Sequence, residues 1–163
     1  MFFPPVGGST ANGRGTKFRE PTGTAHHIGN SAGVLELEIK GRKGQRITAR
    51  HAEVLLNGEL FTKPLRSAKA KLEYVCGGEE ETYCPKFTFM GFRYAELCGI
   101  EPENVKVRMK VISSIDEETG DFFCSNESIN RLQKNIRYSG FSNFLEIPTD
   151  CPQREKNGWT GDG

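Results

Sequence analysis

The chain has 163 residues, enough for one ordinary domain or for one small domain with part of a second. Its 22 basic and 21 acidic side chains leave a formal charge of +1, and no basic stripe alternates with aromatic residues. This composition argues against nucleic acid or an anionic membrane as a partner. A hydrophobic share of 36% with 19 glycines is typical of a turn-rich domain rather than a helical bundle.

The apolar stretches and the cysteines exclude further classes of protein. No apolar run approaches the length of a membrane span, and Pro4 and Pro5 interrupt the opening stretch too early for a secretory signal. The five cysteines form no C-x-x-C pair, so they predict neither a disulfide framework nor a zinc knuckle. Reduced thiols favour a cytoplasmic location, and we expect no cofactor and no metal. The oligomeric state is left open.

The first two thirds of the chain carry strand patterns. Residues 1–30 show no sustained period and predict an irregular or extended lead-in. From Gly33, the apolar Leu35, Leu37 and Ile39 alternate with charged residues, which predicts a strand with one buried face. Extended patterns recur in QRITARHAEVL, KAKLEYVCGG, KFTFMGFRYAELCG and NVKVRMKVI. With the hairpin signal Asn57-Gly58, these segments predict an antiparallel β-sandwich over residues 31–112.

One strand segment, FTFMGFRYAEL, is dense in aromatic residues. Aromatic side chains at alternate strand positions are usually core, so we expect Phe87, Phe89, Phe92 and Tyr94 to be buried. Arg93 should then point to the opposite side of the sheet.

The pattern changes from strand to helix after a linker, which we place at residues 113–124. Ile129, Leu132 and Ile136 follow at helical spacing, with Ser125 or Asn126 available as N-cap. The Asn-x-Ser sequence that begins at Asn126 also matches the N-glycosylation pattern, but we interpret it as capping. The segment 125–163 is too short for a core of its own. It must therefore pack on the sandwich, on another chain or on residues outside this chain.

The last sixteen residues, PTDCPQREKNGWTGDG, concentrate polar chemistry. They contain three carboxylates, a guanidinium and an indole, namely Asp150, Glu155, Asp162, Arg154 and Trp159. An acid beside other acids can have its pKa raised, as a general acid requires. Carboxylates and a guanidinium can bind vicinal hydroxyls, and an indole face can stack on a sugar ring. Residue types alone leave two interpretations open, a solvated surface loop and a carbohydrate site.

The segment SNFLEIPTDCPQREKNGWTGD resembles the signature of the bacterial α-L-rhamnosidases of glycoside hydrolase family 78. GNSAGVLELEIKGRKGQRITARHAEVL and FTFMGFRYAELCG are similar to the β-sandwich domain that precedes the catalytic barrel in that family. The similarity extends from about Ile28 to Asp162. It implies a mainly β fold, with an antiparallel sandwich of jelly-roll or concanavalin-like type. The first helix and acid loop of an (α/α)₆ barrel then follow from residue 125, and the chain holds no more of that barrel.

The resemblance also implies a reaction. The family hydrolyses terminal α-L-rhamnose from rhamnose-containing glycosides with inversion, using one carboxylic acid and one carboxylate base. By motif position, Glu155 matches the general acid, and Asp150, Arg154, Trp159 and Asp162 match residues that contact rhamnose. Some members carry Asp-Glu-Arg and one more residue here. In the shorter Glu-Lys-Asn form of this chain, Glu155 is the only candidate acid.

The general base of the family is a Glu from a later barrel loop, which has no counterpart in this chain. We therefore expect the chain to be part of a longer glycosidase and to be inactive alone. The alternative is a non-catalytic β-sandwich that binds carbohydrate or supports a barrel.

Overall fold

The computed structural model describes residues 23–115, 117 and 119–161, and only the backbone of residues 23–29. The strands in this part are β1 (Gly23–Lys40), β2 (Arg46–Ala52), β3 (Leu55–Leu56), β4 (Glu59–Leu60), β5 (Lys71–Val75), β6 (Glu80–Tyr83), β7 (Met90–Cys98), β8 (Val105–Val111), β9 (Phe144–Leu145) and β10 (Ile147–Pro148). The helix α1 spans Glu127–Asn143, and 3₁₀ turns span Lys63–Leu65 and Pro102–Asn104.

The long strand β1 connects the two parts of the sheet. Its first half pairs antiparallel with β7, and its second half, from Gly33, pairs with β8. On its other edge, Leu37–Lys40 pairs with β6. β7 continues to β2 and β2 to β5, so the strand order is β5-β2-β7-β1-β6, with β8 beside β1. One strand therefore contributes to both layers of the sandwich.

The core lies between these two parts of the sheet. Leu35, Leu37 and Ile39 of β1 are at most 2% exposed, as their alternation with charged residues predicts. They belong to one buried cluster with Ile47 of β2 and Phe92 of β7, which places the two layers face to face. Each such side chain contributes about 2 kcal/mol by leaving water. The predicted antiparallel sandwich is confirmed, and the chain is mainly β.

The hairpin predicted at Asn57-Gly58 joins β3 to β4. Asn57 has φ of 53° and Gly58 has φ of 87°. Two consecutive residues with positive φ form the type I′ turn that matches the twist of a two-residue hairpin. The dipeptide signal is confirmed because Asn and Gly tolerate this left-handed conformation.

Three parts of the sheet differ from the expectations. β1 begins at Gly23, inside the expected lead-in, because backbone pairing with β7 holds residues 23–26 extended. Residues 1–22 of that lead-in lie outside the described residues. β6 was not predicted, since EETY shows no apolar alternation. Phe87 lies outside β7 at φ 58° and is fully exposed, so the expectation that it is core is wrong.

The remaining aromatic residues of that segment follow the prediction in part. Phe92 is 2% exposed and lies in the core. Phe89 and Tyr94 are half-buried, and Arg93 points outward to solvent. Burial does not alternate regularly along β7, because Met90–Phe92 and Ala95–Leu97 are each buried at three consecutive positions, and only Arg93 is exposed between them.

Helix α1 begins at the predicted cap. The Asn126 side chain accepts hydrogen bonds from the backbone amides of Ser128 at 2.9 Å and Ile129 at 3.3 Å, which confirms the capping interpretation. The helix contacts the sandwich near its end, where Ser142 Oγ donates to the Asn30 carbonyl at 3.1 Å. Its apolar residues Ile129, Leu132 and Ile136 are 45–56% exposed. In the described part of the chain, the apolar stripe of α1 is therefore not packed on the sandwich.

Neither the helix nor the cysteines indicate a further structural feature in the described residues. Among the described residues, no helix combines the length and the apolar character needed to cross a lipid bilayer. The five cysteines all lie in the described part and are all free thiols.

Candidate functional site

The acidic segment near the end of the chain folds into a closed loop, here called the acid loop (residues 148–159). The Asp150 amide donates to the Asn157 carbonyl at 2.9 Å, and the Lys156 amide donates to the Cys151 carbonyl at 3.1 Å. The Asp150 carboxylate completes the closure, since its Oδ1 accepts from the amides of Cys151 at 2.7 Å and Asn157 at 3.0 Å. The turn between these pairs presents Glu155.

Glu155 is surrounded by hydrogen-bond donors. Its Oε2 accepts from the Cys151 thiol at 3.0 Å and from Arg154 Nε, and its Oε1 lies 3.8 Å from Arg66 Nη1. The Cys151 thiol and the Arg154 guanidinium lower the pKa of Glu155 to about 2. The expectation that neighbouring acids raise this pKa is wrong for the described chain, because donors rather than acids lie closest to the carboxylate.

The structure brings together two of the three predicted carboxylates. Oxygen atoms of Asp150 and Glu155 lie within 4.8 Å of one another, with Arg154 beside Glu155. Trp159 lies at the end of the same loop, and its side chain is 54% exposed. Asp162, the third predicted carboxylate, lies outside the described residues.

Three ligand atoms of the acid loop are close enough to hold a metal ion, from Asp150, Cys151 and Glu155. The Glu155 carboxylate is already bonded to Arg154 and lies near Arg66. Two guanidinium groups repel an added cation and satisfy the same oxygen atoms. The arrangement therefore favours an ion-paired carboxylate over a metal centre.

The acid loop docks on the sandwich through a close backbone contact. Pro152 is buried, and a Cβ added at Gly91 would lie 2.6 Å from the Gln153 nitrogen and 2.7 Å from the Pro152 carbonyl carbon. A third contact comes from Lys156, whose ammonium donates to the Phe89 carbonyl. Of the three places where the final segment was expected to pack, the structure shows the sandwich for this loop.

Gly91→Ala is expected to displace the acid loop, because the new methyl group would meet two backbone atoms and the rigid ring of Pro152, all closer than 3.0 Å. Overpacking of this kind destabilises by about 2 kcal/mol. Trp159 is the only tryptophan of the chain, so its fluorescence reports the loop directly. We expect increased acrylamide quenching and a lower urea midpoint. Gly120→Ala is the matched control, since a Cβ there meets no atom within 4 Å. Equal behaviour of the two variants would contradict the docking contact.

Sequence reasoning missed three residues of this site. Cys151 was assigned no role in the site, yet its thiol donates to the candidate acid. Lys156 lies inside the terminal motif, and no contact with the sandwich was predicted for its side chain. Arg66 carries no sequence signal at all, because it is 89 positions from Glu155 and reaches it only through the fold.

A concave surface lies away from the acid loop. It is a shallow depression of about 290 Å³ between α1 and the linker residues Ile115, Glu117, Thr119 and Gly120, and on the helix it is lined by Gln133, Arg137, Gly140 and Phe141. No carboxylate of the acid loop reaches it. The described chain therefore presents its candidate catalytic group on an open surface rather than in this depression.

Comparison with protein families gives two adjacent matches. Residues 28–116 match the bacterial alpha-L-rhamnosidase concanavalin-like domain, and residues 117–163 match the bacterial alpha-L-rhamnosidase six-hairpin glycosidase domain. An alpha-L-rhamnosidase of Streptomyces avermitilis is 41% identical over 138 residues, and one of Formosa agariphila is 41% identical over 140 residues. Each alignment covers 82% of this chain but only 13% and 15% of the respective relative.

Solved structures of the same kind share the fold. The Streptomyces avermitilis alpha-L-rhamnosidase complexed with L-rhamnose superposes with a TM-score of 0.81 at 38% identity, over 90% of this chain and 15% of that one. The native enzyme from Aspergillus terreus superposes with a TM-score of 0.77 at 42% identity, over 86% of this chain and 17% of that one. The chain belongs to the bacterial α-L-rhamnosidase family, of which it carries the concanavalin-like domain and the beginning of the six-hairpin glycosidase domain.

Proposed function

We propose that this chain supplies the acid half of an inverting α-L-rhamnosidase, with Glu155 as the general acid. The observation that carries the proposal is the acid loop itself, which presents Glu155 at an exposed turn beside Asp150, Arg154 and Trp159. In this reaction the acid protonates the glycosidic oxygen of a terminal rhamnoside while a second carboxylate activates water on the opposite face. The substrate is a rhamnose-containing glycoside.

Asp150 does not suit the role of the second carboxylate. Its oxygen lies within 4.8 Å of a Glu155 oxygen, whereas an inverting pair is separated by about 6.5–9.5 Å to admit water. Both residues also belong to one tight loop, so they cannot flank a sugar from opposite faces. Asp150 instead closes the loop with Oδ1 and offers its other oxygen to a sugar hydroxyl. We therefore propose that another residue than Asp150 supplies the base.

To act as the general acid, Glu155 must have a higher pKa than it has in this chain. A carboxyl group with a pKa near 2 is ionised at neutral pH and has no proton to donate. Covering the loop with substrate and with the remainder of a barrel removes water from the carboxylate, which raises its pKa. Movement of Arg66, whose side chain is 71% exposed, away from Oε1 acts in the same direction. We propose that the protonated acid forms only in the closed site.

The product anomer tests this proposal. The complete protein that carries this chain should hydrolyse an aryl α-L-rhamnoside, and proton NMR at early times should show β-L-rhamnose as the first product. Release of α-L-rhamnose would contradict inversion and would return Asp150 to consideration as a nucleophile. The 163-residue chain alone should give no turnover, since Asp150 lies too close to Glu155 to act as the base and Glu155 lies on an exposed turn that does not enclose a sugar. Turnover by the chain alone would refute the assignment of a missing base.

A further inference from the structure

Lys156, the residue directly after the proposed acid, is held in an unusual way. Its backbone has φ of 59°, in the left-handed region that costs a non-glycine residue about 1 kcal/mol. Its side chain leaves the acid loop and crosses to the start of β7. There the ammonium donates to the Phe89 carbonyl and lies 3.7 Å from Met90 Sδ. If the ammonium were solvated, nothing would offset the cost of this backbone conformation. The contact with the Phe89 carbonyl offsets it and fixes the position of Lys156.

The surroundings of the ammonium are partly apolar. The Nζ atom lies 4.9 Å from the centroid of the Phe89 ring, within cation–π range. Burial lowers the pKa of Lys156, so part of the hydration of the charge is lost. A charged group in such a place is stabilised only if its hydrogen bond is kept. The Phe89 carbonyl supplies that bond, and it belongs to the backbone of the sandwich.

The other contacts of the acid loop are weaker restraints on Glu155. The close approach of Gly91 to Pro152 restrains the part of the turn that precedes Glu155. Arg154 Nη1 reaches the Pro64 carbonyl at 3.4 Å, near the limit of a hydrogen bond. Lys156 acts on the far side of the turn, one peptide bond from the acid. The two sides together determine where the Glu155 carboxyl points.

We propose that Lys156 is a positioning residue for the catalytic acid, anchoring the acid loop to the sandwich through the Phe89 carbonyl. The proposal rests on the function proposed above. It assigns to the concanavalin-like domain an indirect part in the reaction, because the carbonyl that anchors the acid loop belongs to that domain. An error of about 1 Å in the placement of a reacting group costs up to about a hundredfold in rate.

Lys156→Met tests the anchor, since methionine keeps most of the unbranched stem and removes the ammonium. In the 163-residue chain, hydrogen exchange at the amides of Lys156 and Asn157, which are bonded across the loop, is expected to accelerate at least tenfold. Lys40→Met is the matched control, because Lys40 forms an exposed ion pair with Glu80 on the sandwich surface. Unchanged exchange in Lys156→Met would overturn the anchor whatever the enzyme does.

The activity of the complete protein tests the link to the acid. Lys156→Met is expected to lower kcat on an aryl rhamnoside at least tenfold with KM changed less than threefold. It should also shift the alkaline limb of the pH profile, which reports the acid. Lys156→Arg, which keeps a cationic donor, should retain more of kcat than Lys156→Met. A fall in stability with kcat and pH profile unchanged would reduce Lys156 to a structural role and overturn the proposal. If the wild type hydrolyses no rhamnoside, the proposed function fails, and the exchange measurement still decides the anchor.

Discussion

Glu155→Gln is expected to lower kcat of the complete protein about a thousandfold on rhamnosides with poor leaving groups. Glutamine keeps the shape of the side chain but has no acidic proton, and general acid catalysis contributes about 10²- to 10⁴-fold. Leaving groups that are strongly acidic need little protonation, so kcat on substrates that carry them should fall much less. A plot of rate against leaving-group pKa is therefore expected to be steeper for Glu155→Gln than for the wild type.

The control for this variant must change a carboxylate without touching the acid loop. Glu80→Gln serves, because Glu80 is exposed and pairs with Lys40 on the sandwich. It should leave kcat unchanged, and the free energy of unfolding of both variants should equal the wild-type value to within about 0.5 kcal/mol. Activity of Glu155→Gln that equals the wild type on every leaving group would remove Glu155 from the mechanism.

Stability is expected to fall by about 3 kcal/mol as the pH drops from about 6.5 to 4, because of His51. This side chain is 1% exposed, stacks edge-on against Phe92 at 4.6 Å, and has its Nδ1 2.9 Å from the Ala70 carbonyl. A carbonyl only accepts, so Nδ1 carries the hydrogen. Nε2 is then a buried lone pair without a partner among the described residues.

The direction of this effect follows from proton binding. Burial lowers the pKa of His51 to about 4, the Ala70 bond opposes this, and the charge of Lys156 adds to it. Between pH 4 and 6.5 the unfolded chain binds the proton and the folded chain does not, so stability rises with pH through this window and levels off above it. A difference of about 2.5 pKa units corresponds to about 3 kcal/mol.

The measurement is a series of urea titrations from pH 7.5 to 4.5 on the wild type and His51→Phe. Phenylalanine fills the same place and does not titrate. It loses the Nδ1 hydrogen bond, which lowers the free energy of unfolding by about 1 kcal/mol at every pH. The stability difference between the two proteins should therefore shrink and then reverse as the pH falls. A difference that stays constant across the series would show that His51 does not titrate as described.

Much of the fold was predictable because its signals are local. Alternation at Leu35, Leu37 and Ile39 predicts the buried face of β1, since a paired strand alternates its faces every residue. Asn57-Gly58 predicts a turn that these two residues adopt without strain, and Asn126 predicts a cap that its own side chain makes. The terminal motif predicted the members of the candidate site, and of these the structure brings Asp150, Arg154 and Glu155 together.

Two contacts of the acid loop join residues that are distant in the sequence. Arg66 lies 89 positions from Glu155, and Lys156 lies 67 positions from Phe89. Contacts over such separations produce no periodic pattern in the sequence. The Cys151 thiol and the Arg154 guanidinium lower the pKa of Glu155, whereas residue types alone predicted that neighbouring acids would raise it. The sequence by itself determined most of the strands, the turn, the cap and the membership of the acid loop, because these depend on neighbouring residues. Only the tertiary structure decided where the acid points and which charges surround it, because Coulomb interactions and hydrogen bonds act through space.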